Sequence, residues 1–451
     1  MKAIVIGAGI AGLSATHTLN KAGVDVVCFE RDLVPGGRVV STRRDGFIMD
    51  LGAQFFFKDY HTCYALADEL GIGTEKSRWT FRVGFPDRGG WRPVVATTDP
   101  REIVETFAET MHFLRGASIP FKARLQAMGV VPTIARRYRD LDFVAFEKAL
   151  DLDHETLADF VIRKGGRELL EYLFQSIAST MTLEQPEKMS AAYGLGLLVN
   201  MIGGLTTFQQ GIGTITERLA ERNRACIRYG TPVEKIIIED GKVKGVEVKG
   251  DLVEADVVIP SITATRLLKM APGLPETIRR PLEKVTYSAC CHVIFALPGP
   301  LLPEGWYALS TPRMLKALVS GYTDNAVKSP FYAPAKCAQI SCFTYDHYAH
   351  TLNEQPDEVV KRALIRDLQR FMPHMPDEPL FTEIRRWREA VCLAPPGMLS
   401  AMAQLRKHHY QDVQGLFLAG EYLNMPSVES AARSGCLAAQ EALRAAERFH
   451  G

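Results

Sequence analysis

Three glycines near the start of the sequence have the spacing of a phosphate-binding turn. Gly7, Gly9 and Gly12 form a GxGxxG pattern, and Glu30 follows 18 residues after Gly12. Glycines at these positions let the backbone turn tightly and approach a pyrophosphate, and a carboxylate at Glu30 can accept hydrogen bonds from both hydroxyls of an adenosine ribose. Because this residue is acidic and not basic, a ribose without a 2′-phosphate is favoured, which indicates NAD or FAD. The alternative is a glycine-rich turn with a purely structural role.

The surrounding sequence predicts the elements that such a site needs. Residues 3–7 form a short apolar run typical of a buried strand, a helical pattern continues to Ala22, and a second apolar run at 24–29 ends directly before Glu30. This order places a helix N-terminus, with its unpaired N–H groups and positive dipole end, against the phosphates. The stretch is therefore predicted to bind a dinucleotide.

Three later stretches have features that fit the same site. Residues 35–57 contain a second glycine pair beside Arg38, followed by an alternating hairpin pattern. Residues 227–262 read as strands joined by turns, and residues 415–443 read as a strand, a glycine-acid turn, a loop and a long helix. The nucleotide-binding domain is thus predicted to be assembled from separated segments.

Composition limits the function classes. The chain has 451 residues, 47% of them hydrophobic, and its 53 Lys and Arg nearly cancel its 52 Asp and Glu. This size favours two domains, and the balanced charge argues against a nucleic-acid partner. The nine cysteines form no CxxC pair. We therefore expect reduced thiols, a cytoplasmic location and no metal site.

Between the nucleotide segments the pattern changes. Residues 99–188 are mainly helical, with helices predicted near 100–114, 120–137, 143–149, 155–163 and 166–180. Strand-like runs near 285–297, 316–322, 338–345 and 380–388 alternate with a helix near 357–371, as in an α+β unit.

Residues 189–216 carry no charge over 28 positions. Their glycines, threonines and glutamines make a poor membrane-spanning helix, so we interpret the run as a buried wall. The alternative is that apolar surface here or at 111–131 gives a peripheral membrane contact without crossing the bilayer.

Taken in order along the chain, these motifs resemble the superfamily of flavin amine oxidases, protoporphyrinogen oxidases and phytoene desaturases. The resemblance rests on "GAGIAGLSA" with Glu30, "GGRVVSTRRDGFIMDLGA", "TPVEKI" and "LAGEYLNMPSVESAARSG". It implies an α/β fold: a Rossmann-type FAD-binding domain built from residues 1–56, 206–272 and 411–451, plus an α+β substrate domain with a helical layer. That second domain would comprise 57–205, mostly helical, and 273–410.

The resemblance also implies which residues bind FAD. Glu30 would hold the adenosine ribose, Val233 the adenine through its backbone, and Glu421 would lie near the ribityl and pyrophosphate groups, where many relatives have Asp. Backbone groups at 427–429 would meet the flavin pyrimidine. The full expected set is Gly7, Gly9, Ile10, Ala11, Gly12, Glu30, Arg31, Gly36, Gly37, Arg38, Gly52, Ala53, Val233, Gly420, Glu421, Ser427, Val428 and Glu429.

One departure from the family bears on the substrate. Amine oxidases have a lysine in the substrate domain that holds a water near the flavin, whereas residues 287–306 contain no lysine. We therefore expect an FAD-dependent oxidoreductase that takes hydride from a largely apolar or conjugated small molecule, with O2 or a quinone as electron acceptor. The flavin itself would do the chemistry; Trp387, His292 and Tyr287 are catalytic candidates that ordinary core packing explains equally well or better.

Three alternatives remain open from the sequence. An amine oxidase could use a different residue for its water. A redox-neutral isomerase would use reduced flavin, and a flavin-bound partner protein without activity would have a closed or charged pocket. Because GxGxxG occurs only once, NADH and NADPH are not expected to reduce the flavin rapidly.

Overall fold

A computed structural model describes residues 1–73, 76–79, 81–87, 90–96, 121–143, 145–201 and 204–450. The helix predicted near 100–114 lies outside these residues. No helix in these ranges is both long enough and apolar enough to cross a membrane.

A parallel four-stranded sheet organises the nucleotide side of the molecule. Its strands, in spatial order, are Ile227–Arg228, Asp25–Phe29, Lys2–Ile6 and Val257–Pro260. Helix Ile10–Lys21 leaves the first strand as predicted, and the C-terminal helix Val428–His450 packs against it. A Cβ atom on Gly435 would lie 2.0 Å from the Ala11 carbonyl oxygen, so a glycine is needed for this close helix contact.

Two antiparallel units flank this sheet. One is the hairpin Ser41–Arg44 and Phe47–Asp50, which turns where the sequence predicted. The other is the three-stranded sheet Lys235–Glu239, Lys242–Val248 and Asp251–Glu254. Both belong to segments assigned to the nucleotide-binding domain from sequence.

A mixed seven-stranded sheet forms the opposite side. In spatial order its strands are Phe381–Leu393, Thr286–Leu297, Ala338–Thr344, Val319–Asp324, Ala308–Ser310, Phe81–Asp87 and Gly90–Ala96. A separate three-stranded sheet consists, in spatial order, of Phe56–Phe57, Leu205–Phe208 and Lys76–Trp79. Lys76–Trp79, Phe81–Asp87 and Gly90–Ala96 are thus strands, although the segment 57–205 was expected to be mostly helical. Long-range pairing explains the difference, because Ala308 pairs with Val83 across the sheet.

Helices cover much of the remaining chain. They are His61–Glu69, Phe121–Arg137, Leu157–Gly165, Arg167–Leu169, Gln175–Thr182, Ala191–Met201, Thr214–Arg222, Ala264–Met270, Glu276–Glu283, Asp346–Leu352, Asp357–Gln369 and Met398–Asp412. A π-helical turn, Leu170–Phe174, joins two of them, and Phe146–Leu152 is a 3₁₀ helix. Helix Met398–Asp412 was not predicted and crosses the expected domain boundary at 410/411; the boundaries themselves stay a prediction.

Candidate cofactor site and adjoining chamber

A central cavity of about 1260 Å³ is lined by residues from both the parallel sheet and the seven-stranded sheet. Sites for ordinary small molecules occupy roughly 300 to 1,000 Å³. The cavity therefore has room for one large ligand together with part of another.

The glycine turn has the geometry of a phosphate site. Gly7 has φ +98°, and a Cβ atom on Gly12 would lie 1.9 Å from the Gly7 carbonyl oxygen. Gly9 directly precedes helix Ile10–Lys21 and has no side chain that could cap the first helical N–H groups. These N–H groups and the positive end of the helix are suited to an anion such as a pyrophosphate.

Glu30 lies at the end of the second strand, lines the cavity and is only 8% exposed. Its two carboxylate oxygens accept the N–H of Ala8 at 2.6 Å and the N–H of Asp32 at 2.8 Å. An ionised carboxylate has about four acceptor positions. Glu30 can therefore hold the strand ends and still accept hydrogen bonds from a ligand.

Arg38 and Glu421 form an ion pair at the cavity wall. Arg38 Nη2 donates to Glu421 Oε1 at 2.6 Å, and Nη1 reaches the Ala390 carbonyl oxygen at 3.4 Å. Burial lowers the pKa of Arg38, but the charge of Glu421 and the hydrogen bond to it outweigh burial, so its pKa lies above the ordinary value. The pair joins the second glycine motif to the C-terminal motif.

The C-terminal motif contributes Ser427 and Val428 to the cavity lining. Glu429 does not line the cavity with its side chain. Its carboxylate instead accepts the N–H groups of Thr62 at 2.7 Å and Cys63 at 3.0 Å, at the start of helix His61–Glu69. An acidic group in this position stabilises the positive end of that helix.

One face of the cavity is mainly apolar, although Thr180, Ser310 and Thr323 also contribute hydroxyl groups to it, and we call it the apolar chamber. Most of it comes from the helical layer and from the strands that begin at Phe81 and Ala308. It is lined by Val83, Phe85, Val94, Leu173, Ile177, Met181, Leu183, Tyr193, Leu197, Leu198, Met201 and Leu309. Four of these residues belong to the uncharged run 189–216, which forms a wall as interpreted from sequence.

The acidic residues that line the cavity lie on the nucleotide segments and on strand Phe381–Leu393, and the charge of Glu421 reaches the chamber residue Tyr193, where it adds to burial in raising the pKa of the phenol. These acidic residues are Glu30, Asp32, Glu234, Glu389 and Glu421. Glu389 is itself engaged, since Oε2 accepts from the Thr263 hydroxyl at 2.8 Å and lies 3.3 Å from Arg266. Among the described lining residues, the chamber thus has no carboxylate to pair with a cation.

Residues 51–54 form a short stretch of cavity lining that we call the 51–54 wall. The Leu51 carbonyl oxygen accepts two hydrogen bonds, one from Trp387 Nε1 at 2.8 Å and one from His292 Nδ1 at 2.9 Å. The Ala53 N–H donates to the Arg38 carbonyl oxygen at 2.8 Å. Two of the three residues predicted as catalytic candidates, Trp387 and His292, therefore fix the backbone of this wall.

His292 is neutral in this setting. Burial lowers its pKa to about 4, and its ring stacks on Phe343 with centroids 4.2 Å apart. The bond to a carbonyl oxygen assigns the proton to Nδ1, which leaves a lone pair on Nε2. Nε2 is buried and has no hydrogen-bond partner among the described residues.

Tyr287 does not reach the cavity lining. Its hydroxyl oxygen accepts the Ala264 N–H at 3.1 Å, and the Arg38 guanidinium lies 5.6 Å from its ring centroid. It supports the ion pair of Arg38 from behind, and the geometry gives it no contact with a bound ligand.

The structure brings most of the sequence-predicted residues to one cavity. Those that line it are Gly7, Gly9, Ile10, Ala11, Glu30, Arg31, Gly36, Gly37, Arg38, Gly52, Ala53, Val233, His292, Trp387, Gly420, Glu421, Ser427 and Val428. Gly12 lies beneath the turn, while the side chains of Glu429 and Tyr287 face elsewhere. Sequence reasoning missed Gln54 and the buried Lys328 behind it; the only signal was Asp50, an acid that ends an otherwise apolar strand.

These features fit a flavin dinucleotide. The glycines of the turn leave space that Cβ atoms would fill, and the free N–H groups of helix Ile10–Lys21 face the cavity. The Glu30 carboxylate lies at the end of the second strand, where the adenosine ribose is expected. No group of His, Cys, Asp and Glu that could hold a metal ion occurs in the described ranges.

Comparisons with known proteins give the family. Residues 10–443 match the family described as flavin containing amine oxidoreductase. The zeta-carotene-forming phytoene desaturase of Myxococcus xanthus is 26% identical over 318 residues, which cover 65% of this chain and 59% of that protein. The chain thus spans about three fifths of the length of the curated relatives it matches.

Two solved structures share the fold. Cyclohexylamine oxidase from Brevibacterium oxydans IH-35A has a TM-score of 0.75 and 17% identity, covering 100% of this chain and 99% of that one. A CLA-producing fatty acid isomerase from P. acnes has a TM-score of 0.69 and 18% identity, covering 98% of each chain. At this identity the likeness establishes the fold alone.

These matches confirm four predictions made from the sequence: the family resemblance, the fold class, the flavin oxidoreductase class and FAD as the cofactor. They also agree with a small-molecule substrate and an electron acceptor.

Proposed function

Because the chain belongs to the family of flavin containing amine oxidoreductases, we propose that it oxidises a largely apolar or conjugated substrate held in the apolar chamber beside FAD. The observation that carries this proposal is the chamber itself, whose described lining is mainly apolar with a few hydroxyl groups and includes no carboxylate. Covering apolar ligand surface gains about 25 cal/mol per Å². A buried ammonium without a partner is instead penalised by several kcal/mol.

The residues that would hold FAD follow from the cavity lining. Glu30 would bind the adenosine ribose with its remaining acceptor positions, and the N–H groups at 9–11 would bind the pyrophosphate. Gly36, Gly37 and Arg38 would lie near the phosphates and the flavin, with Glu421 paired to Arg38. Val233 and the backbone at 427–429 would contact the adenine and the flavin pyrimidine.

Bound FAD would supply the hydride acceptor, and the chain would supply orientation and a dry environment. Helix Val428–His450 begins at the cavity. Its positive end would stabilise negative charge on the reduced ring by about 0.3 to 1 kcal/mol, more when buried. The electrons would pass on to O2 or a quinone. The substrate would lose a proton together with the hydride, and we assign that proton to solvent and not to a protein base.

Two other reactions use the same site. Amine oxidation fits the cyclohexylamine oxidase fold, but it would place a cation in a chamber that offers it no carboxylate. Redox-neutral isomerisation fits the fatty acid isomerase fold and an apolar substrate equally well. Product analysis separates isomerisation from oxidation, because isomerisation leaves the mass of the substrate unchanged.

Anaerobic mixing tests the substrate class. The protein is mixed with primary amines, polyamines, tetrapyrrole precursors and polyenes, and the flavin absorbance band is followed. We expect bleaching by an apolar, conjugated compound. Bleaching by the amines alone would contradict the proposal.

A pair of variants at Ile177 tests the chamber directly. Ile177→Asp places a carboxylate among apolar groups and is expected to lower kcat/KM for an apolar substrate at least tenfold, because burying an unpaired charge is costly. Ile177→Leu keeps the volume and the polarity and serves as the matched control. Equal losses in both variants would show that polarity is not what the chamber selects.

We also propose a peripheral membrane contact through helix Phe121–Arg137. Leu125, Met128 and Val131 are 64%, 72% and 58% exposed, and their spacing places them on one side of the helix. The helix contains four Lys and Arg and no acidic residue. An exposed apolar stripe on a basic helix is suited to an anionic lipid surface.

The helix also lies close to the chamber. It packs on helices Leu157–Gly165 and Arg167–Leu169. The chain continues from Leu169 to Leu173 and Ile177, which line the chamber. This position would let an apolar substrate enter from the lipid. The cytoplasmic face of a membrane is the expected location, in keeping with nine free cysteines.

Flotation with vesicles tests the contact. We expect the protein to float with vesicles that contain anionic lipid, and the double variant Leu125→Glu, Met128→Glu to remain at the bottom. Equal flotation of both proteins would rule out this helix as the contact.

A further inference from the structure

Lys328 is enclosed completely, which is unusual for a lysine. It ends the 3₁₀ turn Asn325–Lys328, and its side chain is 0% exposed. Its ammonium donates to Asp50 Oδ2 at 3.1 Å and to Gln54 Oε1 at 2.8 Å. Burial lowers the pKa of Lys328, while the charge and hydrogen bond of Asp50 act in the opposite direction.

Asp50 is equally buried and uses both oxygens. Oδ2 also accepts from the Tyr332 hydroxyl at 2.7 Å, and Oδ1 accepts from the Ser41 hydroxyl at 2.7 Å and the Ile212 N–H at 2.9 Å. Removing a buried ion pair from water costs several kcal/mol per ion and is often not repaid in stability. The pair therefore calls for a role beyond stability.

Gln54 connects this pair to the cavity. Only its carbonyl oxygen can accept from an ammonium, so its amide nitrogen must point the other way. That nitrogen donates to the carbonyl oxygens of Asp50 and Gly52, each at 2.9 Å. Gln54 itself lines the cavity, whereas Lys328 does not. The ammonium thus makes its hydrogen-bonded connection to the cavity through Gln54, and its charge also reaches His292.

The 51–54 wall that Gln54 fixes lies directly on the second glycine motif. A Cβ atom on Gly52 would be 2.2 Å from the Arg38 carbonyl oxygen, so the two backbones touch. The other end of the wall is held at the Leu51 carbonyl oxygen by Trp387 and His292. A wall held at both ends has one conformation relative to Arg38 and its partner Glu421.

We propose that Lys328 is a positioning residue for the flavin: it holds the Gln54 amide, and through it the 51–54 wall, in the conformation that FAD meets. This role rests on flavin binding alone and is independent of the substrate class. Lys328 makes no contact with the ligand, and the buried charge of Asp50 keeps it in place.

Variants at Gln54 test this role while leaving the ion pair of Asp50 and Lys328 in place; Gln54→Met adds no charge, whereas Gln54→Glu adds a second carboxylate beside Lys328. Gln54→Met removes all three bonds, whereas Gln54→Glu keeps an oxygen for Lys328 and loses both donations to the wall. We expect both variants, when saturated with FAD, to differ from the parent in visible circular dichroism. We also expect the relative affinity for reduced and oxidised flavin to change about tenfold, equal to about 30 mV for two electrons.

The double variant Asp50→Asn, Lys328→Met removes the two charges together and should give the same flavin signature. Lys407→Met, on the exposed face of helix Met398–Asp412, is the control and should leave it unchanged. A purely structural Lys328 would lower the unfolding midpoint and leave the saturated flavin unaltered. Parent-like circular dichroism and potential in the Gln54 variants and the folded double variant would overturn the proposal, whatever the substrate is.

Discussion

Substitution of Glu30 by alanine separates a ligand-binding role from a structural one. In the structure the carboxylate accepts the N–H groups of Ala8 and Asp32. Two of its roughly four acceptor positions are therefore used by the protein, and the rest face the cavity. Glu30→Ala removes both kinds of bond, so we expect two separable losses.

The size of each loss follows from the bonds. A hydrogen bond to a charged group contributes about 1.5 to 3 kcal/mol, so losing one ribose contact raises the dissociation constant of FAD by about 10- to 150-fold. The N–H groups of Ala8 and Asp32 would also lose their acceptor. The Ala8 N–H is buried and would cost about 1 to 3 kcal/mol when unsatisfied, which lowers the stability of the apoprotein, whereas Asp32 is exposed and its N–H can bond to water.

Both quantities can be measured on one preparation. Titration of folded apoprotein with FAD, followed by the quenching of flavin fluorescence, gives the dissociation constant, and urea unfolding gives the stability. Asp25→Ala is the matched control, because Asp25 starts the same strand and is exposed. A Glu30→Ala protein that is less stable but binds FAD within twofold of the parent would assign Glu30 a structural role only and refute the ribose contact.

Three further outcomes are expected. NADH and NADPH should not bleach the flavin rapidly under anaerobic conditions, because the sequence has only one GxGxxG motif; fast bleaching would require a second nucleotide site. Gly12→Ala should abolish FAD binding, because the new Cβ would lie 1.9 Å from a backbone oxygen, and normal FAD content would contradict this geometry. Stability should fall as the pH drops from 6.5 towards 4, because burial lowers the pKa of His292 and His409 to about 4 and the unfolded chain binds more protons in this window. At pH 5 each histidine lowers the free energy of unfolding by about 2 kcal/mol, whereas Asp324, whose pKa burial raises to about 6, increases it by about 1.4 kcal/mol. Urea midpoints that are flat from pH 8 to pH 5 would contradict the burial of these groups.

The glycine turn and the residues that it brings to the cavity could be predicted because their signals are local. Gly7, Gly12 and Glu30 lie within one strand, helix and strand, and each residue type is dictated by a turn, a close approach or a charge. The C-terminal motif is equally compact. Contacts of this kind depend on short stretches of backbone, so the sequence carries them directly.

Other parts depend on partners far away in the chain and leave little trace in the local pattern. Lys328 and Asp50 are separated by 278 positions, and neither belongs to a motif. Strand Phe81–Asp87 is stabilised partly by pairing with Ala308–Ser310, which periodicity cannot reveal. The backbone contact predicted for Glu429 stays a prediction, and the sequence did not reveal that its side chain accepts the N–H groups at the start of helix His61–Glu69, because that helix starts beside it only in the folded chain.

The same contrast between local and distant contacts explains how cofactor and substrate preference can vary separately. Several of the residues that we propose to hold FAD come from conformationally restricted turns, where substitution collides with backbone, as at Gly12 and Gly52. The chamber is lined by side chains from helix and strand faces, such as Val83, Ile177 and Leu309, whose backbones are fixed by packing elsewhere. Exchange of one apolar side chain for another there changes the shape of the space without touching the glycine turns. Under the proposed function, substrate choice would therefore reside in the faces that form the chamber, and the glycine motifs would constrain only the cofactor.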